Sequence, residues 1–178
     1  THNKGNSLTQ RGREEGIRHL MSINLLKRLE SSVYSFRLTL ERIDELIADT
    51  IATIQNYQAG GQVLELDDLS AVEDWDADDQ NTDFFTVGRK IKIDLADMDY
   101  LTWLRDLQSD AETLQLLLFM VADITPEHDS KLRQLLDLID QKITHPINPG
   151  NKKLIIFTAF SDTADYLYQH VSRYAKEK

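Results

Sequence analysis

The chain has 178 residues, 41% hydrophobic and 28% charged, with 7 glycines, 3 prolines and no cysteine. That composition excludes collagen-like, disulfide-framework and low-complexity classes, and it holds enough apolar residue for one globular core. The net charge of −10 is uneven, +4 over residues 1–42, −12 over 43–100 and −2 over 101–178, so only the first section could offer phosphates a basic face.

In chain order, the first element is a long helix. Leu29, Val33, Phe36, Leu40, Ile43, Ile47, Thr50, Ile54 and Tyr57 recur at steps of three and four, one stripe with a single polar member. The stripe extends back through Ile17, Leu20, Met21 and Asn24, predicting one continuous helix from Glu14 to Gln58 that stops at Gly60 and Gly61. At 1.5 Å per residue such a helix would span roughly 65 Å, long enough to project from or bridge a domain.

Residues 62–96 read as an acidic loop with short strands at its edges. Asp67, Asp68, Glu73, Asp74, Asp76, Asp78, Asp79 and Asp83 crowd together, and Lys90 to Leu95 alternates with the period of a half-buried strand. Asp74, Asp76 and Asp78 have the alternate spacing of a calcium loop. The sixth place is Asp79 where a glycine should turn the chain, and the twelfth is Phe85 where a glutamate should close the shell. A solvated acidic loop is the reading that remains.

A second helix is expected from Asp97 to Asp123, capped by Asp97 or Asp94. Met98, Leu101, Leu104, Leu107, Ala111, Leu114, Leu118 and Val121 lie on one face and Trp103 widens it. Thr125 as cap and Pro126 in the first turn open a third helix, whose Leu132, Leu135, Leu136, Ile139 and Ile143 repeat at helical spacing before His145-Pro146. After Ile147-Asn148-Pro149-Gly150, the run Leu154-Ile155-Ile156-Phe157 has no alternation, which marks a strand buried on both faces. Ser161 can cap a last helix with Ala164, Leu167, Tyr168 and Val171 facing inward. A parallel sheet needs more strand and helix units than follow, so the expectation is an α/β domain cut short.

The fold class read this way is mainly α: a helical bundle with a long first helix, a small β element and a truncated α/β start. Four sections result: 1–61 the long basic helix, 62–96 the acidic loop, 97–146 the bundle, and 147–178 the strand and last helix. The longest uninterrupted apolar run, Leu116 to Ala122, is far short of the roughly 20 residues needed to cross a bilayer. The first residues lack the layout of a secretory signal, and the absence of cysteine makes a reducing, cytoplasmic setting the expectation.

No phosphate-cradling motif, G-x-x-x-x-G-K-S/T or G-x-G-x-x-G, occurs in the chain, nor do H-E-x-x-H or Glu-x-x-His. Neither nucleotide hydrolysis nor a di-metal centre can be built from those motifs, and the expectation is no catalytic residue, no metal and no cofactor. The five histidines share no ligand spacing. Lys27-Arg28 could meet phosphate or could form helix-surface pairs with Glu30 and Glu41.

Three stretches carry a more specific signal. Lys153-Leu-Ile-Ile-Phe-Thr-Ala-Phe-Ser-Asp-Thr-Ala-Asp-Tyr-Leu167 resembles the opening strand, loop and helix of the second RecA-like lobe in Swi/Snf-related helicases of superfamily two, the segment containing motif IV. Asp129-Ser130-Lys131-Leu132 with Leu135-Leu136 is similar to the helix preceding that strand. Ile23 to Ser32, reading Ile-Asn-Leu-Leu-Lys-Arg-Leu-Glu-Ser-Ser, is similar to a segment following the first lobe in bacterial members. The three occur in the family's order. The resemblance implies a non-catalytic piece of an ATP-dependent helicase or translocase, joining and orienting two motor lobes. The parent protein would use ATP and magnesium, with nucleic acid, DNA by expectation, and the rest of the motor as partners. Thr158 would approach a phosphate of the bound strand, with Ser161, Lys131, Lys27 and Arg28 as further nucleic-acid contacts. The rival reading is a non-enzymatic helical scaffold that binds protein partners through its long first helix.

Overall fold

The computed structural model describes residues 10–59, 95 and 98–177. Within them lie five helices: α1 (Gln10–Ser31), α2 (Val33–Gln58), α3 (Tyr100–Ala122), α4 (Ser130–Thr144) and α5 (Ser161–Glu177). The protein is mainly helical. The acidic segment, the calcium-like spacing and the 90–95 strand pattern fall outside the described residues, save that Leu95 is buried.

The predicted first helix is two helices. Ser32 interrupts it with extended backbone, φ −157° and ψ 147°, and its hydroxyl accepts from the Ser35 amide at 3.0 Å, an N-cap for α2. A cap hydroxyl satisfies an amide that the break would otherwise leave unpaired. The Ser32 amide still donates to the Arg28 carbonyl at 2.9 Å, closing α1. The apolar period runs straight through the break, which is why periodicity alone reads 14–58 as continuous.

α2 is the spine, touching α1, α3 and α5. Leu40 and Ile54 from the predicted stripe are fully buried, at 1% and 0% exposure. Thr50, the polar member, is buried because its hydroxyl donates back to the Leu46 carbonyl at 2.7 Å, and Thr39 does the same to Ser35 at 2.9 Å. α3 runs antiparallel to α2: Tyr57 and Tyr100 meet edge to face, centroids 5.4 Å apart, at one end, while Val33 and Val121 line a common cleft at the other. Its predicted stripe is half-buried from Leu104 to Val121, with Leu101 exposed.

The start of α3 is Asp99, not Asp97 or Asp94: its carboxylate accepts from the Thr102 amide at 3.1 Å and hydroxyl at 2.7 Å. Those two hydrogen bonds, the hydroxyl's first, hold the Asp99 carboxyl below the ordinary aspartate range. α4 likewise starts later than its Thr-Pro signal. Residues 125–129 form a turn in which the Asp129 amide donates to the Thr125 carbonyl at 3.1 Å, and Asp129 caps the helix by accepting from Leu132 at 3.0 Å. Two cap signals compete, and Asp129 is also held by a tertiary contact that Thr125 lacks. α4 ends at His145, as the following proline demands.

Asn148-Pro149-Gly150-Asn151 closes a turn, the Asn151 amide donating to the Asn148 carbonyl at 3.0 Å. Gly150 takes φ 77°, which a side chain would disfavour, and Pro149 presets the preceding angle. Residues 151–158 then run in irregular backbone, and no strand pairs with Leu154–Phe157 among the described residues. Phe157 is 90% exposed. α5 turns a different face inward from the predicted one: Thr163 and Tyr166 are buried, whereas Ala164 and Tyr168 are exposed. Leu167 and Val171 line, with Ile156 and Ala175, a shallow apolar groove of about 350 Å³. The polar pair wins the inside because both hydroxyls find partners there, and Leu167 and Val171 stay half-buried along the groove.

Candidate functional site

The break at Ser32 brings α1's last turn and α2's first turns against the start of α5. Asp162, in the first turn of α5, sits where the helix dipole favours an acid. It accepts from Arg28 Nη1 at 2.9 Å and from Arg42 Nη1 and Nη2 at 3.2 and 3.3 Å. Arg28 is only 3% exposed; its guanidinium also donates to Ser35 Oγ at 3.2 Å and lies over the Phe160 ring, 4.7 Å from the centroid. A buried guanidinium needs a counter-charge and hydrogen-bond acceptors together, and this arrangement supplies both.

Hydroxyls surround the ionic centre. Ser31 and Ser32 lie 2.9 and 3.1 Å from Thr163 Oγ1, and Thr158 Oγ1 lies 3.5 Å from Ser31 Oγ. Lys131 of α4 donates from Nζ to the Glu30 carbonyl, one of the carbonyls that the break frees at the end of α1. Residues from α1, α2, α4 and α5 therefore converge on one point.

The residues expected to meet nucleic acid divide accordingly. Thr158, Lys131 and Arg28 come together there, with Thr158 and Lys131 exposed and Arg28 buried against Asp162. Ser161, half-buried, is the first residue of α5, and Lys27 is exposed beside Arg28. Asp162, Arg42, Thr163 and Ser31 complete the cluster without being among those expected residues; Ser31, Asp162 and Thr163 lie within the stretches 23–32 and 153–167, and Arg42 outside them. Asp162 reads in sequence as an ordinary first-turn acid, and only the fold shows that it faces two arginines.

A second feature adjoins it. Tyr34 of α2 stacks on Tyr166 at 5.0 Å, Tyr166 meets His170 at 4.7 Å, and Arg37 reaches over Tyr34 at 5.7 Å. With Thr125, Pro126 and Val121 these side chains line a cleft of about 180 Å³. The Tyr166 hydroxyl donates to Asp129 Oδ2 at 3.0 Å. Burial first, then that hydrogen bond and the charges of Asp129 and Glu127, push the phenol well above the ordinary tyrosine range. A phenol with a raised folded-state value contributes stability that is intact below its unfolded value near 10 and is lost as pH rises through the folded one. Tyr166→Phe is expected to flatten the alkaline fall in stability, measured by urea denaturation between about pH 9 and pH 11. An unchanged slope would show that Tyr166 carries none of it.

Among the described residues, no group of three His, Asp or Glu side chains is placed to hold a metal ion, and no described helix is long and apolar enough to cross a membrane. The site offers ionic and hydroxyl contacts rather than a nucleophile and its base. No protein-family model, curated protein or solved structure matches the chain.

Proposed function

We propose that this chain is the helical joint of a larger ATP-dependent nucleic-acid motor, orienting the start of a second RecA-like lobe against the helices that follow the first. The observation that carries the reading is convergence. The three stretches that resemble Swi/Snf-related helicases, 23–32, 129–136 and 153–167, lie far apart in sequence and meet through Arg28, Ser31, Lys131, Thr158, Asp162 and Thr163. On this reading Leu154–Phe157 is the first strand of a sheet, and the apolar face of α5 is the face that packs on that sheet. Thr158 and Lys131, exposed around the end of α1, are the residues offered to a phosphate, with Lys27 beside them and Ser161 at the α5 start. Arg28 serves as the buried anchor that holds them in place.

Catalysis would reside in the rest of the motor, where ATP and magnesium bind. The chain by itself is expected to show no ATP turnover, and to bind duplex DNA more weakly than about 1 µM at physiological salt, given its net −10 charge. The whole protein should hydrolyse ATP faster when nucleic acid is added. Assays with single-stranded DNA, duplex DNA and RNA identify the stimulating polymer, and no stimulation by any of them would overturn the reading.

One observation favours a second reading, a scaffold for protein partners. Leu116, Phe119 and Met120 stand exposed at helical spacing on α3, Phe119 at 76%. A whole protein without ATPase activity, captured by a partner through this face and released by Phe119→Asp, would establish the scaffold instead.

A further inference from the structure

We infer that the Arg28–Asp162–Arg42 cluster is a clasp that sets the direction of α1, with Ser32 as its pivot. Three observations point there. The connection between α1 and α2 is a single residue in extended backbone, so the two helices share no continuous hydrogen-bond ladder across it. The buried side chains among those described in α1 are Asn24 and Arg28, both polar, while its apolar Leu20, Met21, Ile23 and Leu25 are only half-buried, so directional polar contacts share in fixing its angle. Polar contacts tie the end of α1 to α4 and α5: Arg28 to Asp162, Ser31 to Thr163 and Thr158, and Lys131 to the Glu30 carbonyl, beside the Arg28 guanidinium over the Phe160 ring.

Such contacts are directional, and they fix an orientation more sharply than an apolar patch, which tolerates sliding. Asp162 is the common member. It takes one guanidinium from α1 and one from α2, so both sides of the pivot close on the same carboxylate. With 22 residues, α1 is a lever about 33 Å long. A rotation of about 15° at Ser32 carries a point about 20 Å along it, near His19, through about 5 Å. Small changes at the α5 start thereby become large displacements at the far end of α1. The clasp serves α1 in this way whatever the whole protein does, so loss of the motor reading leaves it standing.

The chain contains no cysteine, so paired spin labels can be placed without background. Labels at His19→Cys and Asp165→Cys report the α1 to α5 distance by pulsed electron resonance. Labels at Asp49→Cys and Arg105→Cys report the α2–α3 pair as a control. Asp162→Asn is expected to shift the first distance by about 5 Å or to double its width, with the control distance unchanged. An unchanged α1–α5 distribution beside an intact control overturns the clasp. Should Asp162→Asn lose the control distance, Arg28→Gln decides, because it removes α1's member of the clasp and leaves Asp162 paired with Arg42: broadening of the first distance beside an intact control upholds the clasp, and an unaltered distribution overturns it.

Discussion

Asp162→Ala should lower the unfolding free energy by about 3–5 kcal/mol, the range for breaking a buried ion pair from one side. The loss comes less from the missing attraction than from what remains. Arg28, 3% exposed, would keep its charge in the interior with a neutral Ser35 hydroxyl and the Phe160 face as its partners in the cluster, without the 2.9 Å carboxylate contact. Arg42→Ala should cost only about 1 kcal/mol, because that side chain is partly exposed and its removal leaves Asp162 paired with Arg28. Urea denaturation followed by helical circular dichroism checks both. A loss below about 1 kcal/mol for Asp162→Ala would show that solvent reaches Arg28 freely and that the cluster is ornamental.

Leu40→Ala should cost about 2–5 kcal/mol, the range for leucine truncation at a packed site. Leu40 is fully buried on α2, the helix that α1, α3 and α5 share, so the hole it leaves has neighbours on several sides and little room to collapse. Leu116→Ala, the same chemistry on the exposed face of α3, should stay within about 0.5 kcal/mol. The contrast is the test. Equal losses at the two positions would mean that α2 is not the centre of the core.

The positions of these two leucines illustrate how legible the fold is. Leu40 and Ile54 belong to a stripe visible in the sequence, and α2 buries them as the spacing demands. The polar Thr50 in the same stripe also goes inside, since its hydroxyl can return to the Leu46 carbonyl without leaving the helix. What the stripe cannot register is Ser32. An apolar period survives a one-residue kink, and a serine mid-helix and a serine cap look alike until the direction of the next helix is known. At the break the Ser32 hydroxyl also meets Thr163, 131 positions away.

The candidate site divides along the same line. Thr158, Lys131 and Arg28 stand out through the three stretches that resemble a helicase family, and the fold gathers them. Arg28 nevertheless changes role, from a residue offered to phosphate to a buried partner of Asp162. Arg42 lies outside those stretches and Asp162 inside one without standing out from it, because an acid in a first turn and an arginine on a helix are commonplace. Their pairing is a property of the angle between elements.

By itself the amino-acid order determined which segments are helical, which side of α2 is apolar, and where Pro146 and Gly150 interrupt the chain, since each of these follows from interactions within a few residues. The tertiary structure alone decided that the first helix is two, that Asp129 rather than Thr125 begins α4, and that Thr163 and Tyr166 rather than Leu167 and Tyr168 face inward. In each case a residue remote in sequence is hydrogen-bonded at the point in question: Thr163 with Ser32 at the break and on the inner face of α5, and Tyr166, donating to Asp129, at the α4 cap and on that same face. Local propensity holds no information about a partner that only folding delivers.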